Sequence, residues 1–158
     1  MNDNFKSTGI SLFMVRLFAV LLAALTVGAY PALKWYCETF NWDKSLETRI
    51  MLTIGIYIAL PFAWLTLYSL HRLLMNIRAN KIFDNDNVKM LGNSALSCFA
   101  VAAIGLTLIL IYAIFMSKFA LSFAIVTVAA FFVGLMVRVV QNVFRAAIDI
   151  KEENDLTV

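Results

Sequence analysis

The chain has 158 residues, of which 62% are hydrophobic and only 15% are charged, with a formal net charge of +3 at pH 7. Soluble domains are about 45–50% apolar, so this composition is that of a membrane protein and excludes an ordinary soluble domain. The charged residues lie between long uncharged runs, as expected where charge in hydrocarbon is costly. The sequence has no basic patch interleaved with aromatic residues, so it gives no indication of direct nucleic-acid binding.

Four apolar runs are long enough to cross a hydrocarbon core about 30 Å thick, which needs about 20 helical residues. They predict an all-α, polytopic membrane protein, a single four-helix bundle over residues 1–158, with spans at about 10–33, 50–74, 91–116 and 119–140. An outer loop is expected at 34–49, a cytoplasmic loop at 75–90 and a cytoplasmic tail at 141–158. The short link "FMSKFALSF" makes the last two spans a tight antiparallel hairpin.

The first span carries Arg16 near its start, and small residues before Ala29 are typical of a signal-peptide cleavage site. Because the apolar run continues to Leu33, we expect a retained membrane anchor. Cys37 in the outer loop and Cys98 in the third span lie toward opposite faces of the bilayer, too far apart for a disulfide. The outer loop favours an aromatic belt at the headgroup level, or a cap over a ligand, through Trp35, Tyr36, Phe40 and Trp42.

The cationic residues are divided unequally between the two faces of this arrangement. Nine lie on the side of the termini: Lys6, Arg16, Arg72, Arg78, Lys81, Lys89, Arg138, Arg145 and Lys151. Four lie on the other side: Lys34, Lys44, Arg49 and Lys118. Since cytoplasmic loops carry the excess of Lys and Arg, both termini are predicted to be cytoplasmic.

Pro61 lies in the middle of the second span, where it removes a backbone hydrogen bond and predicts a kink. Thr53 or Tyr57 can satisfy the freed carbonyl. A cavity at this level is the basis of an alternative function, a small-molecule or lipid-binding or transport protein. The residues predicted to line that cavity are Thr53, Tyr57, Pro61, Tyr68 and Ser69.

The sequence has no pattern that predicts catalysis, a metal or a cofactor. His71 is the single histidine, and with no Cys or carboxylate at ligand spacing it is interpreted as an interfacial residue. A Gly-rich phosphate loop and paired carboxylates within the spans are both lacking, so we predict no enzyme. Small residues four apart permit close helix packing within one chain or in a homo-oligomer, at Ala24/Gly28, Gly55/Ala59 and Ala130/Gly134.

The cytoplasmic loop "RLLMNIRANKIFDNDNVKMLGNSAL" predicts a structured elbow. Asn80 and Lys81 suit a turn, and Asp84 or Asp86 can cap the next helix by accepting from exposed N–H groups. Apolar anchors follow at Phe83, Val88 and Leu91. The elbow either lies on anionic headgroups through its basic residues or docks a partner.

From Arg138 onward the helical period continues, so the fourth helix is predicted to extend into the cytosol. One stripe is polar, with Arg138, Gln141, Asn142, Arg145, Asp149 and Glu152, and Arg145 and Asp149 can pair. The opposite stripe is apolar, with Val139, Val140, Val143, Ala147 and Ile150. After Glu153 a turn at Asn154 and Asp155 is expected to leave Leu156 and Val158 on an extended end, which frays, folds back on the inner loop or docks in a partner.

"NIRANKIFDNDNVKML" and the ending "AAIDIKEENDLTV" resemble a family of small bacterial membrane proteins known as domain of unknown function 2975. The resemblance covers nearly the whole chain, with four spans in the same arrangement. Asn80 stands where Gly is expected, and Asn tolerates positive φ. The resemblance implies the bacterial inner membrane. It also implies a partner, because members are often encoded beside a very small helix-turn-helix regulator of the phage-repressor type.

We therefore predict a non-enzymatic, regulatory membrane protein that binds or modulates a small cytosolic helix-turn-helix regulator through its loop and tail. Carboxylates would meet Arg or Lys on the partner, and the two apolar residues of the end would fill pockets. The residues predicted to bind the partner are Phe83, Asp84, Asn87, Val88, Glu152, Glu153, Asn154, Asp155, Leu156, Thr157 and Val158.

Overall fold

The structure, a computed structural model, contains four long helices and describes residues 2–39, 46–79, 81, 84–116 and 121–156, with side chains within 9–39, 49–50, 52–79, 81, 84–114 and 124–154. The helices are α1 (Asn2–Thr39), α2 (Leu46–Arg78), α3 (Asn85–Met116) and α4 (Leu121–Leu156). Each contains an apolar stretch long enough to cross a membrane. In hydrocarbon every backbone polar group needs an internal partner, which is why such stretches form helices. The prediction of an all-α protein with four spans is confirmed.

Two helices are longer than the sequence pattern indicated. α1 runs through Pro31 to Thr39 and α2 begins at Leu46, so most of the predicted outer loop is helical. Cys37 therefore lies on a helix rather than in a loop, where it is buried; it and Cys98 are both free thiols. α2 is continuous through Pro61.

The helices pack in sequence order. Within the described part of the chain, α1 contacts α2, α2 contacts α3 and α3 contacts α4, but α1 does not contact α4. Short connections between successive helices make neighbours antiparallel. The predicted four-helix bundle is thus open along one side, and its large exposed apolar side chains, among them Phe13, Val27 and Phe132, contact the lipid bilayer.

Polar contacts join α1 to α2 at two levels. The Tyr57 hydroxyl donates to the backbone oxygen of Thr26 at 3.1 Å, and the Trp64 indole donates to the Thr26 hydroxyl at 3.4 Å. Toward the other end of α1, Arg49 and Glu38 form an ion pair at 3.8 Å. The two hydrogen bonds hold α1 against the half of α2 that surrounds Pro61.

α4 packs on α3 along a seam whose residues alternate at spacings of three and four, the pattern of a coiled-coil interface. The seam comprises Thr127, Ala130, Gly134, Val137, Gln141, Phe144 and Ile148, all buried or half-buried. A Cβ at Gly134 would stand 3.2 Å from Cys98 Cβ, so glycine permits the close approach there. The Phe99 and Phe131 rings pack nearby in a tilted arrangement, with their centroids 5.5 Å apart. By contrast, a Cβ added at Gly28 would meet no atom of the described residues within 4 Å, so glycine is not needed there for packing among them.

Candidate functional site

The end of α2, the turn that follows and the start of α3, residues 76–91, are together called the elbow, and the end of the bundle that holds it is the elbow end. Asp84 begins α3 as its cap: its Oδ1 accepts from the Asp86 N–H at 3.0 Å, and its backbone oxygen accepts from the Asn87 N–H at 2.9 Å. A cap of this kind satisfies donors that a helix start leaves unpaired. Of the two capping residues proposed from sequence, the structure selects Asp84.

Asn87 closes the elbow. Its side chain is fully buried and its Nδ2 donates to the Lys81 backbone oxygen at 2.6 Å, while its Oδ1 accepts from Asn76 Nδ2 at 2.7 Å. The Lys81 N–H in turn donates to the Asn76 backbone oxygen at 2.9 Å. Because a buried amide must be paired, this set of bonds fixes the end of α2, the turn and the start of α3 relative to one another.

α4 is tied to the same elbow by Gln141. Its side chain is 6% exposed, and its Nε2 donates to the Val88 backbone oxygen at 3.0 Å, while its Oε1 accepts from Arg138 at 2.6 Å. Gly92 makes room for this contact, since a Cβ there would lie 2.6 Å from Gln141 Nε2. The sequence pattern placed Gln141 on a polar stripe of α4, whereas the structure buries its side chain between α4 and α3.

The C-terminal part of α4 is exposed on the surface of the protein. Asp149, Ile150, Lys151, Glu152, Glu153 and Asn154 are exposed, and among the described side chains the last buried one is Ile148. The helix continues to Leu156, so the predicted turn at Asn154 and Asp155 is wrong. Arg145 and Asp149, expected to pair, form no ion pair within the part of the chain that the structure describes.

The residues predicted to bind a partner fall into three groups. Glu152, Glu153 and Asn154 lie exposed on α4, and Asp84 is half-buried as the α3 cap. Asn87 and Val88 are buried, with 0% and 4% exposure, so they shape the elbow from within. Phe83, Thr157, Val158 and the side chains of Asp155 and Leu156 lie outside the described residues.

The residues predicted to line one cavity do not converge. Thr53 donates back to the Arg49 backbone oxygen at 2.7 Å, Tyr57 reaches α1, and Pro61 is exposed. Tyr68 and Ser69 do line one groove together, and two other grooves lie between neighbouring helices. One of about 420 Å³ between α2 and α3 is lined by Ile54, Gly55, Ile58, Ala103, Ile104, Thr107, Leu108 and Ile111.

The other two grooves lie at the elbow end. One of about 280 Å³ between α1 and α2 is mostly apolar, with Arg16, Tyr68 and His71 among its lining residues. The second, here called the elbow groove, measures about 240 Å³ and lies between α2 and α3, with Ser69 among its polar lining residues. Among the described residues no group of three or more His, Cys, Asp or Glu is placed to hold a metal ion.

Comparison with known proteins identifies one family. The model of the family described as "Protein of unknown function (DUF2975)" matches residues 26–158, which include the elbow, the Gln141 contact and the exposed end of α4. Comparison with the curated proteins and with solved structures finds no match. The match covers most of the chain and agrees with its four membrane-crossing helices, so the protein belongs to the DUF2975 family.

Proposed function

We propose that this protein is a membrane-bound regulatory protein whose elbow and exposed α4 end, facing the cytosol, dock a small helix-turn-helix transcription regulator. The observation that carries the proposal is the exposed end of α4, with four charged side chains in the five residues 149–153. The elbow stands beside the same helix through the Gln141–Val88 bond.

The length of α4 supports its projection beyond the membrane. Its 36 residues form a rod about 54 Å long, whereas the hydrocarbon core is about 30 Å thick. The surplus of roughly 24 Å corresponds to about 16 residues. Counted back from Leu156, those residues reach Gln141, and they include all the charged residues of α4 except Arg138.

The charge of this end supports a basic partner. Asp149, Glu152 and Glu153 are exposed acids and Lys151 is the one base among them, a local net charge of −2 from three acids and one base. DNA-binding domains are basic, and complementary charge accelerates encounter and fixes register. The family resemblance implies that a small helix-turn-helix regulator is encoded beside this protein, and such a regulator is a basic DNA-binding partner of the kind that the charge favours.

The elbow supports docking by holding its position. Asn87 and Gln141 bind the elbow to α2 and α4 through buried side chains, so a partner on the α4 end meets a preorganised neighbouring surface. A preorganised surface loses little entropy on binding. In this account Asp84 lies at the rim of the docking site, and the buried Asn87 and Val88 support it from inside.

Affinity purification from the native membrane tests the proposal. The full-length protein is compared with a form ending at Lys151 and with Glu152→Gln/Glu153→Gln, and retained soluble proteins are identified by mass spectrometry. We expect a small helix-turn-helix protein that is held by the full-length form and is lost or reduced in both variants. Glu38→Gln, which removes an exposed acid of α1 far from the elbow and the α4 end, is the matched control and retains the partner. Equal recovery from all forms, or recovery of no DNA-binding protein, contradicts the proposal.

A further inference from the structure

The elbow groove has the composition of an anion site. It is lined by Tyr68, Ser69 and Arg72 from α2 and by Asp86, Lys89 and Asn93 from α3. Two cations and one carboxylate give it a net charge of +1. Leu65 and Met90 complete the lining, so the same groove offers apolar surface beside its charged side chains.

The cations stand at the depth of lipid headgroups. From Leu52, where the membrane-crossing stretch of α2 begins, Arg72 lies 20 residues along the helix, or about 30 Å, which equals the hydrocarbon thickness. Lys89 lies on the first turns of α3, at the same end of the bundle and in the same groove. Basic pockets between membrane helices at this level bind anionic headgroups.

Several donors of the groove are available to a ligand. Arg72 is exposed and has no carboxylate within ion-pair distance in the part of the chain that the structure describes. Lys89 forms an ion pair with Asp86 at 3.7 Å, and both side chains are largely exposed. Ser69 is 4% exposed, and no described residue accepts a hydrogen bond from its hydroxyl.

We propose that the elbow groove binds the phosphate of an anionic membrane phospholipid, with Arg72 and Lys89 as the charged ligands and Ser69 as a hydrogen-bond donor. The lipid, rather than free phosphate, is the occupant because the groove lies at the membrane surface and because Leu65 and Met90 offer contact to the first carbons of an acyl chain. Asp86 limits the net charge and orients the Lys89 ammonium from one side.

Binding of short-chain lipids to the detergent-solubilised full chain tests the proposal. The probes are dihexanoyl phosphatidylglycerol, dihexanoyl phosphatidylcholine and sodium phosphate, and complexes are counted by native mass spectrometry. We expect saturable binding of one phosphatidylglycerol, preferred over phosphatidylcholine. Arg72→Gln and Lys89→Gln each weaken it about fivefold, the contribution of one cation near a membrane surface. Arg145→Gln removes an exposed cation of α4 that does not line the groove and leaves binding unchanged.

Three outcomes overturn the proposal. They are equal binding of the two lipids, equal weakening by Arg145→Gln, and displacement of the lipid by sodium phosphate at the lipid's own concentration. A photoactivatable phosphatidylglycerol added to the unaltered protein gives an answer independent of any variant. Labelled peptides containing residues 65–72 and 86–93 support the groove, and labelling spread evenly over the four helices contradicts it.

Discussion

Replacing Asn87 with Ala tests the internal structure of the elbow most sharply. The change deletes the bond to the Lys81 backbone oxygen and the bond from Asn76. At about 1 kcal/mol for each buried hydrogen bond, the free energy of unfolding should fall by about 2 kcal/mol. Asn76→Ala removes only the shared bond and should cost about 1 kcal/mol.

The pair also defines a double-mutant cycle. Because both single variants delete the Asn76–Asn87 bond, the double variant should lose about 2 kcal/mol rather than the sum of the single losses, a coupling of about 1 kcal/mol. The assay is unfolding by sodium dodecyl sulfate in mixed micelles, followed by far-ultraviolet circular dichroism. Asn142→Ala, at an exposed position of α4, is the control and should stay within about 0.5 kcal/mol of the unaltered protein. Additive losses, or a cost for Asn87→Ala equal to that of the control, would refute the assignment of Asn87 as the closing residue.

Further changes test the α3 cap, the Gln141 contact and the close helix packing; stability is measured in the same unfolding assay, and the Gln141 contact is measured by amide hydrogen exchange. Asp84→Ala should lower the free energy of unfolding by about 1 kcal/mol because the helix cap is lost. Asp84→Ser should recover most of that stability, since serine also caps helices, and failure to recover it rejects the capping role. Gln141→Leu should remove the hydrogen bond from α4 to the Val88 oxygen and increase amide hydrogen exchange in the elbow, whereas unchanged exchange means that α4 does not stabilise the elbow. Gly134→Val should lower the free energy of unfolding because the new side chain collides with α3. Gly28→Ala should leave the free energy of unfolding unchanged or raise it through helix propensity. A larger loss of stability from Gly28→Ala than from Gly134→Val would mean that Gly28 packs against another helix.

The four spans were predictable from sequence because apolar length alone determines them, and Asp84 was predictable because caps are local. Asn87 was assigned to a partner surface, since a single asparagine in a polar loop gives no sign of its burial. Its partner Asn76 stands eleven positions earlier, just before the turn, and a matched pair of amides around a turn is the signal that identifies such a closure.

Gln141 was misplaced because helical periodicity assigns a polar side chain to the solvent face. Gly134, Gln141 and Ile148 are seven residues apart, a repeat that instead places Gln141 on the seam between α4 and α3. A polar residue on that seam must find a buried hydrogen-bond partner. The turn expected at Asn154 and Asp155 rested on local propensity. The cost of either residue in a helix, at most about 0.7 kcal/mol, did not end α4.

The measurement that tests the central claim most directly is photo-crosslinking from Glu153 in intact cells. A photoreactive amino acid replaces Glu153, and a second version carries it at the lipid-facing Val128, which is exposed on the membrane-crossing part of α4. The account predicts that the photoreactive residue at position 153 forms a covalent adduct with a small helix-turn-helix protein and that the one at position 128 does not. An adduct at position 153 that contains only this chain or lipid, in protein that is correctly inserted, would contradict docking of a cytosolic regulator at the α4 end.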